Sequence, residues 1–281
     1  MSQASFNGIF KPLPQPRVDF VLLGAPYDAA SSYRPGARLA PGAIRALARS
    51  LNACTERGRD LSNLAAADAG DLSLPHAAVQ AHAAIEAAVG AWHERGAVPI
   101  VLGGDHSVTV PCFAAALRRH PGLQLLYFDA HPDLYPEFEG DPHSHACVVH
   151  RILQLDGMDG ARITQVGIRA STPAQRAAAG AAGVRTVHAW EVAGFSFESE
   201  RPVYVSFDVD ALDPAHAPGC GNPVPGGLSA RQAFDLLRAV RALVVGLDVV
   251  EVNPLLDPHG ITALAAARVV VEALGAMAAP A

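Results

Sequence analysis

Leu123-Gln124-Leu125-Leu126-Tyr127-Phe128-Asp129-Ala130-His131-Pro132-Asp133 runs from an apolar segment straight into three metal-competent side chains. The first six residues read as a buried β-strand. Beyond it, Asp129, His131 and Asp133 sit at alternate positions. In extended backbone, residues two apart point to the same side. The three side chains can therefore converge just past a strand end. Pro132 removes a backbone donor and stiffens the turn between two of them.

The same design recurs along the chain. Val98–Leu102 is an apolar strand ending in Gly103-Gly104-Asp105-His106-Ser107, and Val203–Phe207 is another running into Asp208-Val209-Asp210. Leu243–Val250 is a third, ending at Glu251. Strands at 18–23, 163–168 and 185–188 alternate with helices at 41–51, 76–95, 109–119, 145–155, 172–182, 229–241 and 261–278. Pro41 suits the first turn of its helix, and Ser229 suits an N-cap. This alternation predicts an α/β fold: a largely parallel sheet sandwiched between helices. Residues 18–281 read as one catalytic domain, and the Pro-rich residues 1–17 read as an arm over the surface or over a neighbouring subunit. In such sheets ligands bind beyond the carboxyl ends of strands, which is where every polar motif falls.

Composition narrows the rest. The chain has 281 residues, 50% of them hydrophobic and 17% charged, enough apolar material for a substantial core. The net charge of −6 argues against nucleic-acid binding and is compatible with a small cationic substrate. The cysteines Cys54, Cys112, Cys147 and Cys220 lack the spacing of a zinc ribbon or a disulfide framework. A reduced, cytoplasmic setting is the expectation. No secretory signal is recognisable, and no uninterrupted apolar run approaches the ~20 residues of a membrane span.

His106, Asp129, His131, Asp133, Asp208 and Asp210 make two imidazoles and four carboxylates. Thiolates are absent from the set, which disfavours structural zinc. Oxygen-rich sites with some imidazole suit Mn²⁺. Six ligands exceed what one catalytic ion with an open position needs, and they fit two ions sharing carboxylates.

The motifs resemble those of the ureohydrolases, the arginase/agmatinase family. The likeness rests on Gly-Gly-Asp-His-Ser (103–107), Asp-Ala-His-Pro-Asp (129–133) and Ser-Phe-Asp-Val-Asp-Ala-Leu-Asp-Pro (206–214). Arg34-Pro35-Gly36-Ala37-Arg38, Pro223-Val224-Pro225-Gly226-Gly227-Leu228 and Glu251-Val252-Asn253-Pro254 extend it. The resemblance implies a three-layer fold shared with the deacetylases and two Mn²⁺ per subunit. His106, Asp129, Asp133 and Asp208 would hold one ion; Asp129, His131, Asp208 and Asp210 would hold the other. It further implies that Asp133 hydrogen-bonds the bridging hydroxide, that Glu251 pairs with the substrate guanidinium, and that His145 shuttles protons. A neighbouring histidine, His143, is a rival for the shuttle. A homo-oligomer, trimer or hexamer, is implied as well.

The substrate is read less directly. The loop Leu134–Pro142 lacks the Asn- and Ser-bearing segment of arginases, and Ser144-His145-Ala146-Cys147 looks agmatinase-like. Glu137, Glu139 and Asp141 are candidates for attracting a second ammonium on the substrate. Agmatine is therefore the expected substrate, cleaved to putrescine and urea. Alternatives are N1-aminopropylagmatine, guanidinobutyrate, arginine and formiminoglutamate. Val224 and Glu251–Asp257 look more arginase-like, and His150 stands where many relatives carry Arg. His150, Cys147 and Cys220 receive no role. A zinc deacetylase or a non-catalytic binding protein on the same fold are the readings of a different class.

Overall fold

In a computed structural model that describes residues 4–278, nine strands form one sheet. In chain order they are β1 (Lys11–Pro12), β2 (Phe20–Gly24), β3 (Ala66–Asp71), β4 (Val98–Leu102), β5 (Gln124–Phe128), β6 (Ile163–Ile168), β7 (Arg185–His188), β8 (Val203–Asp208) and β9 (Val244–Val250). Their spatial order is β1-β3-β2-β4-β9-β8-β5-β6-β7, and every pairing is parallel. The expected α/β sandwich is what the chain builds.

Seven helices cover the sheet: α1 (Ala40–Ala48), α2 (Ala78–Glu94), α3 (Thr109–Arg119), α4 (Val148–Leu153), α5 (Pro173–Ala182), α6 (Ala230–Arg238) and α7 (Ile261–Met277). Strand periodicity sorts the core into two halves. Along β5, Leu126 and Phe128 pack with α1, α6 and α7, whereas Leu125 and Tyr127 pack with α2, α3, α4 and α5. The central strands are buried on both faces, which is why they read as unbroken apolar runs. By length and composition the helical stretch Pro258–Met277 could cross a membrane, but 61% of it is buried inside the fold, with Ala266, Val270 and Leu274 in the core.

Helix ends follow local chemistry. Thr172 and Ser229 each cap a helix and form reciprocal capping boxes with Gln175 and Gln232. Helix bounds lie within a few residues of those the sequence suggests: α3 spans the expected 109–119, whereas α6 stops at Arg238, not Arg241.

Two regions depart from expectation. β3 has the sequence Ala-Ala-Asp-Ala-Gly-Asp, with no β-branched or aromatic residue. Nothing local marks it as a strand, and it forms because β2 and β1 flank it. The N-terminal segment is also not a surface arm. Lys11 and Pro12 add the edge strand, and Phe6, Ile9 and Phe10 are buried in the main core. Proline is tolerated at this position because an edge strand needs only one side of its ladder.

Candidate active site

The strands β4, β9, β8 and β5 are neighbours at the centre of the sheet. Their carboxyl ends deliver His106, Glu251, Asp208 with Asp210, and Asp129 with His131 and Asp133. β4 and β5 follow each other in sequence yet stand on either side of β9 and β8. The chain thus turns outward in opposite directions from this point, the arrangement that opens a crevice at strand ends.

Short turns aim the side chains. Asp105 accepts from the Ser107 N–H at 3.0 Å and caps the turn that carries His106. Gly104 lies so close to the backbone of Tyr27 that a Cβ there would overlap the Tyr27 carbonyl. That contact lets the Asp105 N–H donate to Tyr27 O at 2.8 Å and the Glu251 N–H donate to Gly104 O at 2.9 Å. Asp133 and Glu251 have φ of +47° and +65°. Left-handed backbone is uncommon for side chains of this kind and costs energy, and it clusters at functional sites.

The cluster is tight. His106 Nδ1 lies 3.0 Å from both Asp129 Oδ2 and Asp208 Oδ2, and 3.6 Å from Asp133 Oδ2. His131 Nδ1 lies 2.9 Å from Asp210 Oδ2 and 3.4 Å from Asp129 Oδ1. Two overlapping groups result, His106–Asp129–Asp208 and Asp129–His131–Asp210, with Asp129 common to both. The supports are specific. The Ala130 N–H donates to Asp210 Oδ1 at 2.9 Å, the Asp210 N–H to Asp208 Oδ1 at 2.7 Å, and the His131 N–H to Asp129 Oδ1 at 2.5 Å. Tyr127 OH donates to Asp133 Oδ2 at 2.6 Å, its ring stacked on His106. Behind His106, Ser206 Oγ is 2.9 Å from Nε2 and donates to the buried Asp248 at 2.7 Å.

The charges do not balance without cations. Burial and the neighbouring Asp129 carboxylate push Asp133 up to about 8. Burial, with Asp210 and Asp129 beside it, pushes Asp208 well above the usual carboxylate range. Burial opposes protonation of His131, but the Asp210 and Asp129 carboxylates outweigh it and lift the imidazole to about 12. Asp129 Oδ2 is buried and accepts no well-aligned hydrogen bond, although His106 Nδ1 is 3.0 Å away. A buried carboxylate oxygen left unpaired is costly, and a divalent cation would satisfy it. Oxygen donors with two imidazoles and no thiolate suit a hard or borderline ion. The residues present therefore fit divalent metal.

The cluster floors a cavity of about 360 Å³. Glu251 and His145 stand on its wall: His145 Nδ1 is 2.8 Å from Glu251 Oε1, which also accepts from the His106 N–H at 2.8 Å. All six candidate ligands, together with Glu251 and His145, thus meet at one place. His143 does not join them. It packs edge-on against His82 in a separate hollow beside α2, so of the two rivals only His145 lines the cavity.

The acidic loop requires a correction. Glu137 and Glu139 are exposed, Asp141 is tied to the His143 N–H at 2.8 Å, and none of the three lines the cavity. From that loop Tyr135 and Phe138 face inward instead. The loop folds there into a tight turn: Phe138 and Asp141 exchange backbone hydrogen bonds, Glu139 and Gly140 have φ of +52° and +81°, and the tip faces solvent. His150, on α4, contacts Gln154 just past the helix end and lies outside the cavity. Cys147 and Cys220 are buried beside the site. Sequence reading missed Ser32, Asn222, Ser171, Thr172 and Gln175, all of which line the cavity. They come from loops and a helix start with no motif of their own. Asn222 Nδ2 lies 3.4 Å from His131 Nε2.

A parallel sheet whose central strand ends gather imidazoles and carboxylates at the floor of a cavity defines a metal-dependent hydrolase. Within that class the chain belongs to the arginase family, whose model matches residues 18–275. That family consists of hydrolases acting on guanidino groups, as the sequence motifs led us to expect. The chain is 39% identical to the proclavaminate amidinohydrolase of Streptomyces clavuligerus, over 93% of this chain and 89% of that one. It is 36% identical to the guanidinopropionase of Pseudomonas aeruginosa, over 90% and 85%, and 35% identical to the agmatinase of Bacillus anthracis, over 91% of each. The solved structure of the Streptomyces enzyme superposes with a TM-score of 0.88, covering 99% of this chain and 97% of that one.

Proposed function

We propose that this protein hydrolyses a terminal guanidino group to urea and an amine, with agmatine as the lead substrate and putrescine as the amine. The observation that carries this reading is Asp129, shared by the two candidate metal groups on the cavity floor. His106, Asp129, Asp133 and Asp208 would hold one Mn²⁺, and Asp129, His131, Asp208 and Asp210 a second. When bound, such a pair supplies a water activated near neutral pH.

The chain's own residues do the rest. Glu251 is oriented by the His106 N–H and by His145. Its carboxylate accepts from the guanidinium N–H groups, a charge-assisted contact suited to that planar fork. Asp133 Oδ accepts a proton from the attacking water. The water oxygen bonds to the guanidinium carbon, the bond from that carbon to the alkyl-bearing nitrogen breaks with its electron pair staying on nitrogen, the imidazolium form of His145 gives that nitrogen a proton, and the proton left on the urea oxygen passes to solvent.

The far end of the cavity favours agmatine. Tyr135 and Phe138 offer aromatic faces, and no Arg or Lys lines the space. An ammonium is attracted to such faces, and a carboxylate would lack a counter-charge. One observation supports a second reading, a guanidino acid. Ser171, Thr172 and Gln175 come from the start of α5, where hydroxyls and the positive end of the helix favour an anion. Urea release by Mn²⁺-loaded protein across agmatine, N1-aminopropylagmatine, guanidinobutyrate, guanidinopropionate and arginine separates the two. Agmatine turned over with the highest kcat/KM supports the lead. Preference for either guanidino acid assigns the α5 end instead, and release of urea from none overturns the function.

A further inference from the structure

Ser32 sits at the mouth of the cavity, on the loop between β2 and α1, and makes two contacts with one atom. Its backbone N–H is 3.1 Å from His145 Nε2, and its Oγ is 2.8 Å from the same nitrogen. A backbone N–H can only donate, so Nε2 must accept. At the other ring nitrogen the partner is a carboxylate oxygen, Glu251 Oε1, which can only accept, so Nδ1 must carry the proton. The two fixed partners define one tautomer: Nδ1–H toward Glu251, Nε2 lone pair toward Ser32.

The loop that carries Ser32 is pinned on both sides. The Ala30 N–H donates to the buried Asp105 at 3.0 Å, and Ala30 O accepts from the His145 N–H at 3.1 Å. Asn253 Nδ2 donates to Arg34 O at 2.8 Å, and Asp28 accepts from the Gly36 N–H at 2.8 Å. Ser32 is therefore held against the imidazole and does not merely drift near it.

We infer that Ser32 is a positioning residue for His145, fixing the ring as the Nδ1–H tautomer with Nε2 as an acceptor at the cavity mouth. The inference rests on the role given to His145 in the preceding subsection. Its consequence is a balance of opposing pulls. Burial disfavours the imidazolium, Glu251 with Asp105 and Asp133 favours it and lifts the ring to about 9, and the Ser32 N–H, which can only donate, favours the neutral form. A proton arriving at Nε2 would face the Ser32 N–H head-on, so the imidazolium must part from Ser32.

The test uses the Mn²⁺-loaded full-length protein, with pH profiles of kcat and KM for wild type, Ser32→Ala, Ser32→Thr and His145→Asn. Losing the hydroxyl removes the side-chain contact to Nε2 and leaves the Ser32 N–H in place. In Ser32→Ala, kcat should fall about 2- to 10-fold, the worth of one hydrogen bond, with KM unchanged. The pH limb that His145→Asn abolishes should move by up to about one unit in Ser32→Ala, and stay at the wild-type position in Ser32→Thr. If that limb does not move in Ser32→Ala, or if only KM changes, Ser32 does not position His145. If Ser32→Thr shifts as Ser32→Ala does, the hydroxyl is not the acting group. If His145→Asn keeps both the limb and the rate, the assignment of His145 itself fails, whatever Ser32 does.

Discussion

The floor and the mouth of this cavity are built by different means. The floor is made at the ends of β4, β5, β8 and β9, where backbone pairing fixes each Cα and short capped turns aim each side chain. The mouth is made by two loops, residues 25–39 and 134–144, and by the start of α5. A floor residue is placed by the fold. A mouth residue is placed by the conformation of its own loop, so the same few residues can face either way. Chemistry common to many substrates belongs on the first, and discrimination between substrates belongs on the second.

The largest expected effect is on the floor. Asp129→Ala removes the carboxylate shared by both metal groups, and urea release should drop below about 1% of wild type, beyond the 10- to 100-fold typical of outer-sphere losses. Retained activity with Mn²⁺ added would break the distinction at its strongest point.

The floor should also betray itself through pH. Without metal, Asp133 has its folded value raised from 3.8 to about 8, and His131 has its raised from 6.5 to about 12. In both cases the folded chain holds more protons than the unfolded one through the neutral range, so stability falls as pH rises. The melting temperature of metal-free protein should therefore decline from about pH 5 to pH 8, and Mn²⁺ should flatten the decline because it binds only the folded form. A metal-free melting temperature that rises across that range would contradict the crowding of charge described here.

Between floor and mouth stands His145. Its replacement by Asn should cost about 100-fold in kcat, the usual scale for losing an acid–base group, with KM nearly unchanged. At the mouth the effects should shift from kcat to KM. Phe138→Ala should raise KM for agmatine about 10-fold if its ring faces the ammonium. Glu137→Gln and Glu139→Gln, on the exposed side of the same loop, should change kcat/KM by no more than about twofold. A larger effect from either glutamate than from Phe138 would reverse the assignment of the loop.

How much the sequence revealed follows the same division. Asp129, His131 and Asp133 were legible because an apolar run precedes them and alternation puts them on one side. His106, Asp208, Asp210 and Glu251 were legible for the same reason. The outward placement of Glu137, Glu139 and Asp141 is not legible in the sequence, because charge does not give a side chain's direction and a loop obeys no fixed period. Ser32 and Asn222 carried no local signal at all: they reach His145 and His131 across separations of 113 and 91 residues. β3 escaped notice because its small and acidic residues carry no strand preference, and the buried Phe6 and Phe10 were hidden by the prolines around them.

What most needs testing is that Asp129, common to both groups, helps organise two cation sites. Metal content after Mn²⁺ loading and desalting tests it directly, measured on wild type and on His131→Ala. Two Mn²⁺ per chain in wild type and close to one in His131→Ala is the result expected. A single ion in wild type at full urea-forming activity, or two ions retained in His131→Ala, would contradict it.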